Sequence, residues 1–155
     1  MTVRTDWLLL FLGLEGGAYP ADQVRVMKGM FLLDRIATHP VSGKYRFSAY
    51  DYGPFDSSVY RDLDTLEAGG LVNTLAVGQT RRIYELTEAG SAEFERLRAS
   101  LPESELGEAQ RVKEEVTSLG FDQLLERIYA NYPAFALNSR ARVAQNKSQE
   151  LEKQQ

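Results

Sequence analysis

The chain has 155 residues, of which 43% are hydrophobic and 26% charged, with a formal net charge of −4 and no cysteine. This length fits one compact domain, and the lack of cysteine excludes disulfide frameworks, thiolate zinc sites and cysteine nucleophiles. The mild acidity argues against a protein that coats nucleic acid by charge alone, because non-specific affinity comes from neutralised phosphates.

The single histidine, His39, limits the catalytic chemistry that the chain can support. One ring cannot supply a histidine-rich metal cluster, and any Ser-His-Asp triad would have to use it. Its place beside Pro40, at the end of a predicted helix, favours a capping or surface position over a catalytic one. We therefore expect no enzyme, no metal site and no cofactor.

The longest apolar run near the start spans Trp7 to Leu12. It is far shorter than the roughly 20 residues that cross a bilayer. Asp6 precedes it, at a position where a secretory signal would carry positive charge. The absence of cysteine fits a reducing compartment, so we expect a cytoplasmic chain without membrane contact.

Helical periodicity predicts two helices in the first 40 residues. The first starts with Thr5 as its N-cap and runs to Leu14, and the second opens after Asp22 and ends before Pro40. The first is almost entirely apolar and the second carries two apolar stripes. Both patterns indicate packing against more than one neighbour.

A short strand is predicted over residues 42–53, because Tyr45, Phe47 and Ala49 alternate with polar residues. A Gly53-Pro54 turn is expected to follow it.

A third helix is predicted from Asp56 to Ala68, with Asp56 as its N-cap. Phe55 and Tyr60 have the spacing of a hydrophobic staple across its first turn. Its inner face is expected to carry Val59, Leu63 and Leu66.

Two strand-like runs follow, over 71–77 and 82–86, and the residues between them have turn composition. Together they predict a hairpin. Thr87 then caps another helix, which ends before Pro102. The last third predicts two more helices, over 103–119 and 121–132, and the second of these has the stronger apolar face.

The order helix, helix, strand, helix, hairpin, helix contains a recognisable motif. The stretch DLDTLEAGGLV at 62–72, followed by RRIYELTEAG at 81–90, resembles the winged-helix signature of bacterial regulators of the PadR and MarR type. In such domains a helix ends at a glycine, a strand-wing-strand follows, and a Leu-Thr-x-x-Gly step starts the next helix. The resemblance covers about residues 22–98 and implies a mostly helical α+β fold, a winged helix with additional C-terminal helices.

A second resemblance lies at Tyr52-Gly53-Pro54-Phe55, which is similar to a step in Panacea or SocA-like antitoxin domains. In those domains a helix rich in large apolar residues is followed by a strand, a Tyr-Gly-Pro step and another helix. Met30-Phe31-Leu32-Leu33 would be part of the apolar helix here.

These patterns divide the chain into three parts. Residues 1–101 are expected to form the winged-helix domain with an extra N-terminal helix, and 102–138 a helical region for dimerisation or packing. Residues 139–155 are polar and predict a frayed or disordered tail. The acidity lies mostly toward the C-terminus, because residues 1–86 carry 9 basic and 10 acidic side chains and 87–155 carry 9 and 12.

The resemblance to PadR and MarR regulators implies a DNA-binding transcriptional regulator that dimerises through its C-terminal helices. In this interpretation helix 56–68 enters the major groove of double-stranded DNA, and the hairpin, or wing, follows the backbone. Arg61 is the strongest base-reading candidate, because its planar fork can pair with guanine O6 and N7. The candidate DNA-binding residues of the helix, the wing and the first strand are Ser57, Ser58, Arg61, Thr65, Thr80, Arg81, Arg82, Lys44 and Arg46.

Two features depart from the DNA-binding pattern, and the acids, with the Tyr52-Gly53-Pro54-Phe55 resemblance, suggest an alternative. Helix 56–68 carries one arginine against four acids, which are Asp56, Asp62, Asp64 and Glu67, and acids that face phosphates weaken binding. The preceding helix is also too far away for the tight turn of a helix-turn-helix. The alternative is a protein-binding winged helix, an adaptor or antitoxin-like module that docks a basic protein partner on this acidic helix. The wing arginines would then be a solvated hairpin end.

Overall fold

The computed structural model describes residues 2–140. Within them the fold is α+β and mostly helical, as expected, and no helix there is long and apolar enough to cross a membrane. The elements in chain order are α1 (Arg4–Gly13), α2 (Gln23–Arg35), β1 (Ser48–Tyr50), β2 (Gly53–Phe55), α3 (Ser57–Ala68), β3 (Val72–Val77), β4 (Arg81–Leu86), α4 (Glu88–Ser100), α5 (Glu103–Ser118), α6 (Phe121–Asn131) and a final 3-10 turn, Pro133–Ala136.

Local signals place α3 and α4 where the sequence predicts them. The Asp56 carboxylate accepts a hydrogen bond of 2.9 Å from the Ser58 N–H and caps α3. The rings of Phe55 and Tyr60 lie 5.6 Å apart, which confirms the staple. The Thr87 hydroxyl accepts a hydrogen bond of 3.0 Å from the Gly90 N–H and caps α4.

The start of α1 differs slightly from its prediction. The helix begins at Arg4 after the N-cap Val3, rather than after Thr5. The Asp6 carboxylate accepts a 3.1 Å hydrogen bond from the Val3 N–H, and this contact satisfies a backbone donor that would otherwise be free.

The segment between α2 and α3 differs more. The strand predicted over 42–53 is confined to β1, and β2 forms where the Gly53-Pro54 turn was expected. The two strands pair antiparallel, with Ala49 opposite Pro54, and Gly53 adopts a positive φ of 90°.

Lys44 and Arg46 therefore lie before β1, which corrects their predicted place on a strand. The chain turns in this region, where Gly43 has a φ of 76° and donates its N–H to an Asp34 carboxylate oxygen at 2.9 Å. The alternation of Tyr45 and Phe47 with polar residues reflects burial of their rings, not extended pairing.

His39 is buried rather than on the surface, which corrects its predicted position. Its ring lies 4.6 Å from that of Trp7, and Nδ1 accepts a 3.2 Å hydrogen bond from the Val41 N–H. Burial lowers the pKa of His39, although the charge of Glu108 and a backbone contact at Glu105 act in the opposite direction. The neutral ring therefore has a structural place in the core.

Helix α1 lies at the centre of the core. It packs against α2, α3, α4, α5 and β4. Five consecutive side chains are almost completely buried, as the apolar sequence predicted: Trp7, Leu8, Leu9, Leu10 and Phe11. The apolar face of α6 is also filled within the chain, since four of its side chains are no more than 2% exposed: Leu124, Leu125, Ile128 and Tyr129.

The described residues end beside the β1–β2 hairpin. The hydroxyls of Tyr129 and Ser139 lie 2.6 Å apart, and the Arg140 N–H donates to the Asp51 carbonyl at 2.6 Å. The remainder of the predicted polar tail, 141–155, lies outside the described residues.

Candidate functional site

The β3–β4 hairpin forms a wing that projects beside α3. Its strands pair antiparallel from Val72 opposite Leu86 to Val77 opposite Arg81. Gly78 has a φ of 68° and allows the tight reversal at the tip. On its other edge, β4 forms a single bridge between Ile83 and Asp22, just before α2 begins.

The outward face of α3 carries the residues predicted for it. Ser57, Arg61 and Thr65 are exposed and Ser58 is half-buried. Arg61 Nη2 donates to the Ser58 hydroxyl at 2.9 Å, and the Thr65 hydroxyl donates to the Arg61 carbonyl at 3.0 Å. These four residues form one polar surface along the helix.

Only part of the acidity of α3 faces solvent. The Asp62 side chain is buried, where it accepts a hydrogen bond of 2.8 Å from Arg4 Nε and another of 2.7 Å from the Tyr45 hydroxyl. Burial, together with the hydrogen bond to Asp62, raises the pKa of the Tyr45 hydroxyl. Asp64 and Glu67 are the acids of α3 that remain exposed.

The fourth acid, Asp56, sits at the start of α3. Its second carboxylate oxygen accepts a 2.7 Å hydrogen bond from the Arg46 N–H. Burial opposes ionisation of Asp56, but the hydrogen bonds from Arg46 and Ser58 dominate and lower its pKa. This contact brings the exposed side chain of Arg46 to the end of α3 that carries Ser57. Lys44 lies nearby, and its carbonyl accepts a 3.0 Å hydrogen bond from Arg4.

The two wing arginines have different environments. Arg81 Nη2 lies 3.4 Å from the carboxylate of Asp22, which also binds Arg25 Nη1 at 2.6 Å. The Arg81 side chain is 45% exposed. The Arg82 guanidinium is exposed and makes no hydrogen bond or ion pair with the residues that the structure describes. Of the two wing arginines, Arg82 is therefore the one whose charge is not paired within the described residues.

A groove of about 370 Å³ separates α3 from the wing. It brings Thr80 and Arg82 close to α3, while Arg81 lines a neighbouring groove beside α6. Burial raises the pKa of Tyr60 to about 12, so its hydroxyl is neutral at physiological pH. The residues that line the first groove are Gln23, Tyr60, Asp64, Gln79, Thr80, Arg82 and Tyr84.

Sequence reasoning missed two contributors to this groove. The sequence predicts Tyr60 for the staple, and its additional place in the groove is seen only in the structure. Gln23 had no sequence signal, because its role depends on residues of the wing 57 and 59 positions later.

A comparison with known families identifies this region. Residues 32–96 match the transcriptional regulator PadR-like family. The match begins within α2, ends within α4 and includes α3 and both hairpins. The chain thus contains a PadR-like winged-helix domain, the DNA-binding domain of a family of transcriptional regulators.

The PadR-like match confirms the first resemblance and the winged-helix fold. The resemblance of the Tyr52-Gly53-Pro54-Phe55 step to Panacea or SocA-like antitoxin domains stays a prediction. No curated protein matches the chain as a whole or in part.

Proposed function

We propose that the chain regulates transcription by binding double-stranded DNA, with the outward face of α3 in the major groove and the wing along the backbone. The groove between α3 and the wing carries this proposal, because Arg82, whose guanidinium makes no ion pair with the described residues, lines it together with Tyr60 and Asp64 of α3. A recognition helix and a wing can contact the same DNA duplex only if they lie close to each other.

The candidate residues divide between two roles. Arg61 supplies the planar donor fork for guanine, with Ser57, Ser58 and Thr65 around it for further polar contacts. We assign Arg82 and Thr80 on the wing, with Lys44 and Arg46 before β1, to phosphates. Arg81 contributes less, because its guanidinium is already paired with Asp22.

The burial of Asp62 supports this proposal over docking of a basic protein. Asp62 is occupied by Arg4 and Tyr45, and Asp56 is occupied as the cap of α3. The helix therefore presents two acids to a partner instead of four. Repulsion of phosphates is correspondingly weaker than the sequence indicates.

Arg82→Ala tests the phosphate contact. We expect the slope of log affinity against log salt to fall by about one phosphate contact, because one cation that displaces counterions is lost. Fluorescence anisotropy with genomic DNA fragments over a salt series measures this slope. Arg81→Ala is the matched control, with a smaller change expected because Arg81 is paired with Asp22. Wild-type protein that binds no fragment even at low salt would refute the proposed function.

We also propose that the chain is a homodimer that acts in the cytoplasm, where bacterial DNA lies. The apolar face of α6 is buried inside the chain, so a dimer formed through the C-terminal helices would use their outward residues. A two-fold dimer would present two copies of α3 to successive major grooves. Light scattering at micromolar concentration should give twice the chain mass of 17.5 kDa, and a single-chain mass would contradict the dimer.

A further inference from the structure

The outer edge of β4 is covered only in part by backbone. The Tyr84 N–H donates to the Ala21 carbonyl at 3.0 Å, and Asp22 bridges Ile83. This bridged segment then ends, because Asp22 is the N-cap of α2 and the chain turns into the helix. The backbone groups of β4 nearer the wing tip are left without a neighbouring strand.

The side-chain amide of Gln23 takes the place of the missing strand. Its Nε2 donates to the Thr80 carbonyl at 2.5 Å, and its Oε1 accepts a hydrogen bond from the Arg82 N–H at 2.6 Å. A glutamine amide has the same donor and acceptor groups as a peptide unit. The two hydrogen bonds of the Gln23 side chain therefore extend the backbone hydrogen bonding between residues 21–22 and β4 toward the wing tip.

The start of α2 holds this amide in place. Gln23 is the first residue of the helix, and the Asp22 carboxylate accepts a 3.0 Å hydrogen bond from the Arg25 N–H within the same turn. The backbone from which the Gln23 side chain extends is therefore fixed. Few torsions remain to be ordered when the amide binds the wing.

We infer that Gln23 is a positioning residue that clamps the wing tip in the orientation needed to bind DNA. The inference rests on the proposed function, because the clamped residues, Thr80 and Arg82, are those assigned to phosphates. An isolated two-stranded hairpin is only marginally stable in water, and the clamp gives the second edge of β4 hydrogen-bond partners almost to the tip. A preorganised wing binds with a smaller loss of conformational entropy.

Amide hydrogen exchange of the free protein tests the clamp without DNA. Gln23→Met keeps the length of the side chain and removes both hydrogen bonds. We expect the Arg82 N–H to exchange about tenfold faster, since its acceptor is lost. Gln110→Met is the matched control: it removes an amide of α5 that donates to the Glu15 carbonyl at 2.9 Å, outside the groove, and should leave the Arg82 N–H unchanged.

DNA binding tests the positioning role. We expect Gln23→Met to weaken binding about threefold to tenfold, and Gln110→Met to leave the affinity unchanged. Gln23→Glu supplies a further readout, because its carboxylate can accept from the Arg82 N–H but cannot donate to the Thr80 carbonyl. At the same pH, we expect the Arg82 N–H to exchange more slowly in Gln23→Glu than in Gln23→Met.

The outcomes separate the clamp from the proposed function. An Arg82 N–H that exchanges equally fast in wild type and Gln23→Met would overturn the clamp, whatever the protein binds. Faster exchange with unchanged DNA affinity would show that the clamp does not position the wing for DNA. A wild-type chain that binds no DNA while its Arg82 N–H responds would refute the proposed function and the positioning role together.

Discussion

Gly90→Ala is expected to destabilise the chain by about 3 kcal/mol, because a Cβ at this position meets backbone rather than a movable side chain. That atom would lie 2.0 Å from the Leu71 carbonyl oxygen and 3.3 Å from Leu86 Cβ. The Leu71 carbonyl is held in place by a 3.0 Å hydrogen bond from the Thr87 N–H. The first turn of α4 would have to move away from the start of the wing.

The free energy of unfolding, from urea denaturation followed by Trp7 fluorescence, measures this effect. Gly107→Ala in α5 is the matched control, since its Cβ would find only Arg111 Nη1 at 3.7 Å. We expect that control to be stabilised by up to about 1 kcal/mol, because alanine favours a helix. Equal stability of Gly90→Ala and wild type would show that α4 does not approach Leu71 so closely.

Asp62→Ala is expected to destabilise the chain by about 3 kcal/mol. The substitution removes the acceptor of the Tyr45 hydroxyl and the partner of Arg4 Nε, at distances of 2.7 and 2.8 Å. The buried Tyr45 hydroxyl would lose its acceptor, which costs more than the contact itself contributes, and Arg4 would keep only its hydrogen bond to the Lys44 carbonyl. Asp64→Ala, at an exposed position of the same helix, should change the free energy of unfolding by no more than about 0.5 kcal/mol.

This pair of variants also affects the test of the protein-docking alternative. Charge reversal at Asp62 would place a cation beside Arg4 in the protein interior and destabilise the fold. If that variant failed to bind a protein partner, the failure would reflect unfolding and not the loss of a docking contact. Reversal at Asp64 and Glu67, which are exposed, tests docking without this effect. If Asp62→Ala unfolds at the same urea concentration as wild type, Asp62 is not the buried partner of Arg4 and Tyr45.

The sequence predicts most of this fold because most of its signals are local. The cap at Asp56, the staple of Phe55 and Tyr60, and the cap at Thr87 each involve residues only two to five positions apart. Pro102 likewise separates α4 from α5. Such signals place helix starts and ends without knowledge of the tertiary structure.

The candidate site is less predictable because its decisive contacts are distant in sequence. Asp62 binds Arg4 at a separation of 58 residues, and Arg81 approaches Asp22 at a separation of 59. Helical spacing does contain a signal for Asp62, since it lies three residues after Val59 and four before Leu66, on the inner face. No local pattern indicates that Arg81 is paired while Arg82 is not.

Helix α1 determines which boundaries a fragment of this domain needs if it is to be transferred to another protein. A fragment limited to the matched residues, 32–96, would lack Arg4, the partner of Asp62 on α3. It would also lack the five buried side chains from Trp7 to Phe11. A graft of the PadR-like domain therefore has to carry the first helix with it, since the borders of family similarity enclose less than the folding unit.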